Sequence, residues 1–261
     1  MPSTYAHYRF GVAMLPGLPG DVRRTIGRFR RLFDVGLHGP DIFFYHPMLP
    51  KGADQSPGRK FHKQNGRDFF QRVCRVTRME KSEAAQAYLY GVLCHYALDS
   101  ICHPFVKEQA ERGPATHTEI EAEFDRFLLE LDGKRPPESQ DMSPHLHLTP
   151  GECETVAKFY PGMTARSVGN CVANMARCTK LFATPEGARR TVLRKGMEAL
   201  GPNISGLLMT VGPNPRCAGL DHALLELYEQ AVSDFPEMLV QIQAHLTYNG
   251  NLGEEFANPF G

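Results

Sequence analysis

With 261 residues the chain is long enough for one large domain with a sizeable core, since single domains often reach about 250 residues. Its 29 basic and 29 acidic side chains cancel, so no general field gathers nucleic acid or anionic lipid over the whole surface. Seven cysteines, an odd number without paired spacing, argue against a disulfide scaffold; together with the missing signal-peptide pattern and the lack of an apolar run of membrane-span length, they give the expectation of a cytoplasmic protein.

In chain order, residues 20–34 read as a first helix, with Asp21 as its cap and Ile26, Phe29, Leu32 and Phe33 on one side. The segment 36–47 holds too many Gly and Pro residues for a helix, and Pro50, Gly52 and Pro57 extend the irregular chain. Within it, Phe43, Phe44 and Tyr45 read either as packing anchors or as a wall for a ligand. Helices follow at 66–79 and 83–103.

The second of these carries the chemistry. Between Ala84 and Val106 the only formal charge is Asp99, so the helix is buried on nearly every side and its carboxylate must be compensated. His95, Asp99 and His103 succeed one another at four-residue spacing and share one face. Gly91, one turn before His95, leaves room for a neighbouring backbone or an ion. Pro104 disfavours α geometry at His103 and predicts that this ring swings off the helix end. A lone H-x-x-x-D favours a core Asp satisfied by one His. Cys94 and Cys102 point elsewhere around the helix and read as core.

The next helix changes that balance. Thr116 and Glu119 form a T-x-x-E capping box, which sets His117 at the first helical position and Glu121 one turn on. Both lie at the edge of the stripe Ile120, Phe124, Phe127, Leu128 and Leu131, whereas Glu119, Glu123, Asp125, Arg126 and Glu130 read as solvated or partly solvated charges. Imidazole and carboxylate donors on two facing helices suit zinc, because calcium and magnesium prefer all-oxygen shells.

Beyond a Pro-rich linker at 135–144, further helices are expected at 150–160, 164–182, 185–199 and 220–246, with almost no strand alternation. The expectation is a single all-α domain over 1–261, with a ligand-bearing half at 1–134 and additional helices over 145–250. His145 and His147 read as surface residues of a Pro-rich loop. His222 and His245, near the ends of the last helix, read as terminal contacts.

With these residues in view, the chain resembles the zinc-dependent phospholipase C family, which shares its fold with single-strand-specific P1-type nucleases. The resemblance implies a multi-helix bundle with a metal cluster in its core, holding two or three Zn2+. By its order of ligands it implies an amino-terminal group, here Pro2 after loss of Met1, then His7, Asp41, His62, the pair His95 and Asp99, His103, and the pair His117 and Glu121. His46 competes with His62 for one place, and His38 is a further rival. The chain has no Trp, whereas secreted members present an amino-terminal Trp as a ligand. The implied activity is hydrolysis of a phosphate ester, with a phospholipid as one candidate substrate; Asp41 and Asp99 are the implied catalytic carboxylates. An S1/P1-like nuclease and a metal-stabilised binding protein without turnover are the alternatives. The adjacent His-Asp pair of an HD-type phosphohydrolase does not occur.

Overall fold

The computed structural model describes residues 4–46 and 56–261. Among them the regular structure is helical, without strands; one isolated bridge pairs Asn65 with Pro259. The helices are α1 (Thr4–Met14), α2 (Gly20–Arg28), α3 (Arg30–Gly36), α4 (Pro57–His62), α5 (Gly66–Glu80), α6 (Glu83–Arg112), α7 (His117–Leu131), α8 (Pro150–Ala157), α9 (Ala165–Phe182), α10 (Ala188–Ala199), α11 (Pro202–Ser205) and α12 (Leu220–Tyr248). A 3-10 segment, Gly39–Tyr45, links α3 towards α4.

The bundle is organised around α6. Ser82 caps it by accepting from the Ala85 amide at 3.2 Å, and its residues from Ala87 to Asp99 are all buried. Helices α1, α2, α3, α5, α7, α8 and α12 pack around it. The α3–α6 crossing is the closest. A Cβ added at Gly91 would lie 2.3 Å from the Phe33 carbonyl oxygen, and one at Gly36 would lie 2.7 Å from that of Tyr88. The space at Gly91 is therefore filled by backbone, not by an ion.

Several expected elements differ. The 20–34 helix breaks at Phe29 (φ −124°, ψ 42°), a turn that lets α3 lie against α6; it begins at Gly20 with no side-chain cap from Asp21. Pro57, read as part of an irregular stretch, occupies the first turn of α4, where its missing N–H costs nothing, and Ser56 caps that helix. Helix α1 carried no clear periodic signal, and tertiary contacts make it.

Helix α6 also runs past Pro104 to Arg112. The amide that Pro104 lacks would have paired with the Ser100 carbonyl, at the point where the helix leaves the core and solvent becomes available. His103 therefore stays in register with His95 and Asp99 instead of swinging away from a helix end.

No helix among the described residues is long and apolar enough to cross a membrane.

Candidate metal centre

Four elements bring their polar side chains to one face of α6. Helix α1 contributes His7, the 3-10 segment Asp41, α4 His62, and α7 His117 and Glu121, around the row His95, Asp99 and His103. Asp99 stands at the middle. Its Oδ1 lies 3.2 Å from His7 Nε2 and 3.3 Å from His103 Nε2, and its Oδ2 lies 3.0 Å from His95 Nε2 and 4.0 Å from His62 Nε2. Glu121 Oε1 lies 3.3 Å from His103 Nε2 and 3.2 Å from His117 Nε2, and Asp41 Oδ1 lies 2.8 Å from His62 Nε2.

These atoms fall into three groups with separations of at most 4.8 Å: His7 with His95 and Asp99; Asp41 with His62 and His95; His103 with His117 and Glu121. Donors bonded to one tetrahedral zinc at ~2.0–2.1 Å sit about 3.3 Å apart, the spacing most of these pairs show. The chemistry of the donors fits as well. His95 is fully buried and neither of its ring nitrogens has a hydrogen-bond partner, nor does Asp99 Oδ2, although the two groups nearly touch. Buried polar atoms so placed are rare in proteins, and lone pairs available to a shared ion would account for them.

Electrostatics prepares the same donors. Burial disfavours ionised Asp99, yet the surrounding His103, His95 and His7 hold its pKa well below the usual carboxylate range. Burial lowers the pKa of His95 despite the opposing Asp99 charge, which keeps the imidazole in its neutral, ligating form. His7 behaves oppositely. Burial lowers its pKa, but the Asp99 carboxylate more than reverses this and leaves it raised. His62 Nδ1 donates to the Gly58 carbonyl at 2.8 Å, which fixes the ring so that Nε2 faces Asp41 and the cluster.

Local backbone makes the convergence possible. Gly39 has φ +44°, and a Cβ there would lie 2.6 Å from the His95 ring, so the chain passes tightly over that imidazole before delivering Asp41. The capping box of α7 is present in full: Thr116 N–H donates to Glu119 Oε2 at 2.7 Å and Glu119 N–H to Thr116 Oγ1 at 3.3 Å.

A family model for zinc-dependent phospholipase C matches residues 6–160. The chain belongs to the zinc-dependent phospholipase C family. That match spans the converging side chains from His7 to Glu121. Searches of curated proteins and of solved structures returned no match.

Of the residues the sequence singled out, His7, Asp41, His62, His95, Asp99, His103, His117 and Glu121 come together; Pro2 lies outside the described residues. His46 joins none of the three groups. His38 is buried in another pairing, its Nε2 2.7 Å from that of His145. His145 is thus half-buried and not simply a surface residue: its ring stacks on Tyr8, and burial together with Arg30 pushes its pKa down to about 4. His245 contacts the Gly250 carbonyl at the end of α12. Cys94 and Cys102 lie in the core with thiol pKa values raised by burial.

The charges on α7 also correct the expectation. Glu123, Asp125 and Arg126 are buried, because the helix is covered on more sides than its apolar stripe required. Arg126 bridges Glu123 at 2.6 Å and Glu130 at 2.7 Å. Asp125 accepts the Tyr5 and Ala6 amides at 2.9 and 2.8 Å and so holds the first turn of α1, which carries His7. Its signal was present in the sequence: Asp125 extends the His117, Glu121 row by one more turn. Phe260 gave no such signal. Its ring lies 6.0 Å from that of His95 and 6.4 Å from that of His62, and the Gly261 amide donates to the His62 carbonyl at 3.3 Å.

Beside Glu121 opens a cleft of about 650 Å3, part of it solvent. Its polar lining includes Tyr45, Glu121, Asp125 and Glu138, and its apolar lining Met142, Phe182, Leu207 and Met209; no Lys or Arg is among its described lining residues. The three aromatic residues after Asp41 thus divide their roles. Phe43 is a core anchor against Phe61 and Tyr160, Phe44 packs on the His62 ring, and Tyr45 lines the cleft.

Proposed function

We propose that this chain is a zinc-dependent phosphodiester hydrolase of phospholipase C type, using two or three ions held by the groups above. The observation that carries the reading is the convergence of three ligand groups about one buried carboxylate, Asp99, next to an amphipathic cleft. Zinc bound there supplies charge to neutralise phosphate oxygens and lowers the pKa of water towards ~7. The two oxygens of Asp99 face different imidazoles, which suits a bridging role. His7 and Asp99 would hold one ion, together with Pro2 as the family resemblance implies, Asp41, His62 and His95 would hold another, and His103, His117 and Glu121 a third. Asp41 would orient the attacking water or accept its proton at its carboxylate.

The cleft favours a lipid over a polynucleotide. The described lining offers no Lys or Arg to a chain of phosphates, and the apolar wall of Met142, Phe182, Leu207 and Met209 suits the glycerol and acyl portion of a phospholipid.

The test is zinc analysis combined with parallel assays on phosphatidylcholine and single-stranded DNA, before and after chelation. Asp99→Asn is expected to lower bound zinc and reduce lipid hydrolysis by roughly a thousandfold or more, since it weakens donors to adjacent ions. Full zinc occupancy with normal turnover in that variant would overturn the assignment. Zinc binding without hydrolysis of either substrate would favour a metal-stabilised binding protein.

A further inference from the structure

We propose that the outer face of α10 is the surface by which this protein seats on a phospholipid bilayer containing anionic lipid. The inference rests on the phospholipase reading and adds the place where the lipid surface is met.

Helix α10 stands apart from the bundle. Of its twelve residues only Arg190 and Met197 are buried, and it packs mainly against the short α11. Between α10 and α7 lies a second, polar and larger cleft of about 1030 Å3, part of it solvent, lined by Glu119 and Glu123 on one side and Arg190, Arg194 and Glu198 on the other. Arg190 pins the excursion at its base by donating to the carbonyls of Thr184 and Met209.

The outward side of α10 has a definite composition. At 100° per residue, Ala188, Val192, Gly196 and Ala199 share it and the C-cap Leu200 borders it, with Val192 at 72 % and Leu200 at 73 % exposure. Arg189 and Lys195 stand within or beside this stripe, and both are exposed. The acidic Glu198 lies towards the opposite side, paired with Arg194 at 3.0 Å. An apolar stripe accompanied by basic residues and kept clear of acids is complementary to an anionic lipid surface: the aliphatic groups enter the acyl boundary while the cations meet the headgroups.

Continuity with the substrate cleft selects this face over other exposed aliphatic residues. The chain leaving α10 and α11 supplies Leu207 and Met209 to the cleft wall, and the chain entering it supplies Phe182 and Ala183. The proposed seat at Val192 and Leu200 is therefore continuous along the chain with the apolar wall of the cleft, built by the same excursion. Val240 on α12, 63 % exposed, lines neither cleft and has Glu237 one turn before it. It supplies the control position.

The experiment is co-sedimentation with phosphatidylcholine vesicles containing about one-third phosphatidylserine, comparing the full chain with Val192→Ser/Leu200→Ser and with Val240→Ser. The double variant is expected to bind vesicles roughly tenfold or more weakly, and Val240→Ser to bind normally. Hydrolysis of a monomeric short-chain phosphatidylcholine should be unchanged in both, because neither site touches the metal centre. Equal vesicle binding by all three proteins, or none by the unaltered chain, overturns the proposal. So does a dimer of the unaltered chain that the double variant dissolves while vesicle binding persists, since the face would then belong to a second copy. Failure of the zinc-loaded protein to hydrolyse monomeric lipid would instead overturn the phospholipase reading, whatever the vesicles show.

Discussion

Helices α6 and α10 make opposite use of similar ingredients. Each contains a glycine, charged groups and exposed or buried aliphatic residues, but α6 is enclosed by seven other helices and α10 by scarcely one. In α6 the carboxylate of Asp99 is buried among imidazoles and the glycine is in contact with another backbone. In α10 the ionic groups are mostly solvated or paired at the surface, and Gly196 has nothing within 4 Å of where its Cβ would be. The lesson is that a residue's type says less about its role than the cost of its surroundings. A charge enclosed at such expense marks a site; the same charge in water marks only a face.

The sharpest way to break this comparison is one substitution made in both helices, with an intermediate case between them. Gly91→Ala should cost about 3 kcal/mol or more, because all three of the nearest atoms belong to the α3 backbone and none can rotate away. Denaturant unfolding measures it, and zinc content should fall in parallel, since moving α3 displaces the segment that carries Asp41. Stability close to that of the unaltered protein would mean that the helices can separate cheaply.

Asp125→Ala comes next. It removes a buried carboxylate that accepts two amides of α1, and a loss of about 2 kcal/mol is expected. Hydrogen exchange of the Tyr5 and Ala6 amides should accelerate far more than that of α6, and unchanged protection there would refute the role given to Asp125. The smallest effect belongs to Gly196→Ala. With open space around it and no positive φ, alanine should stabilise by roughly 0.5–1 kcal/mol through helix propensity and a less flexible unfolded chain, visible as a modest rise in Tm.

The same contrast explains what could be read in advance. The α6 row was legible because one charge in a long apolar run has few explanations, and the α7 start because its capping box is a local hydrogen-bond pattern. Helix α1 and the Asp125 clamp were not legible as a pair: the contact spans 120 residues, and a carboxylate at 125 looks solvated until α1 covers it. Likewise Pro104 read as a helix end, although the neighbouring Ser100 carbonyl reaches solvent where the chain emerges. His145 looked exposed because nothing local announces the stacking of Tyr8 or the approach of His38.

By itself the sequence determined the all-helical class and the spacing of donors along α6 and α7, since apolar periodicity, capping and i to i+4 geometry act within a few turns. Only the tertiary structure decided that His7, Asp41 and His62 join the cluster around Asp99, that Phe260 packs against two of the imidazoles, and that α10 keeps an aliphatic stripe in solvent. These depend on distant segments meeting in space, through close backbone approach at Gly36, Gly39 and Gly91 and burial of groups whose partners lie many residues away.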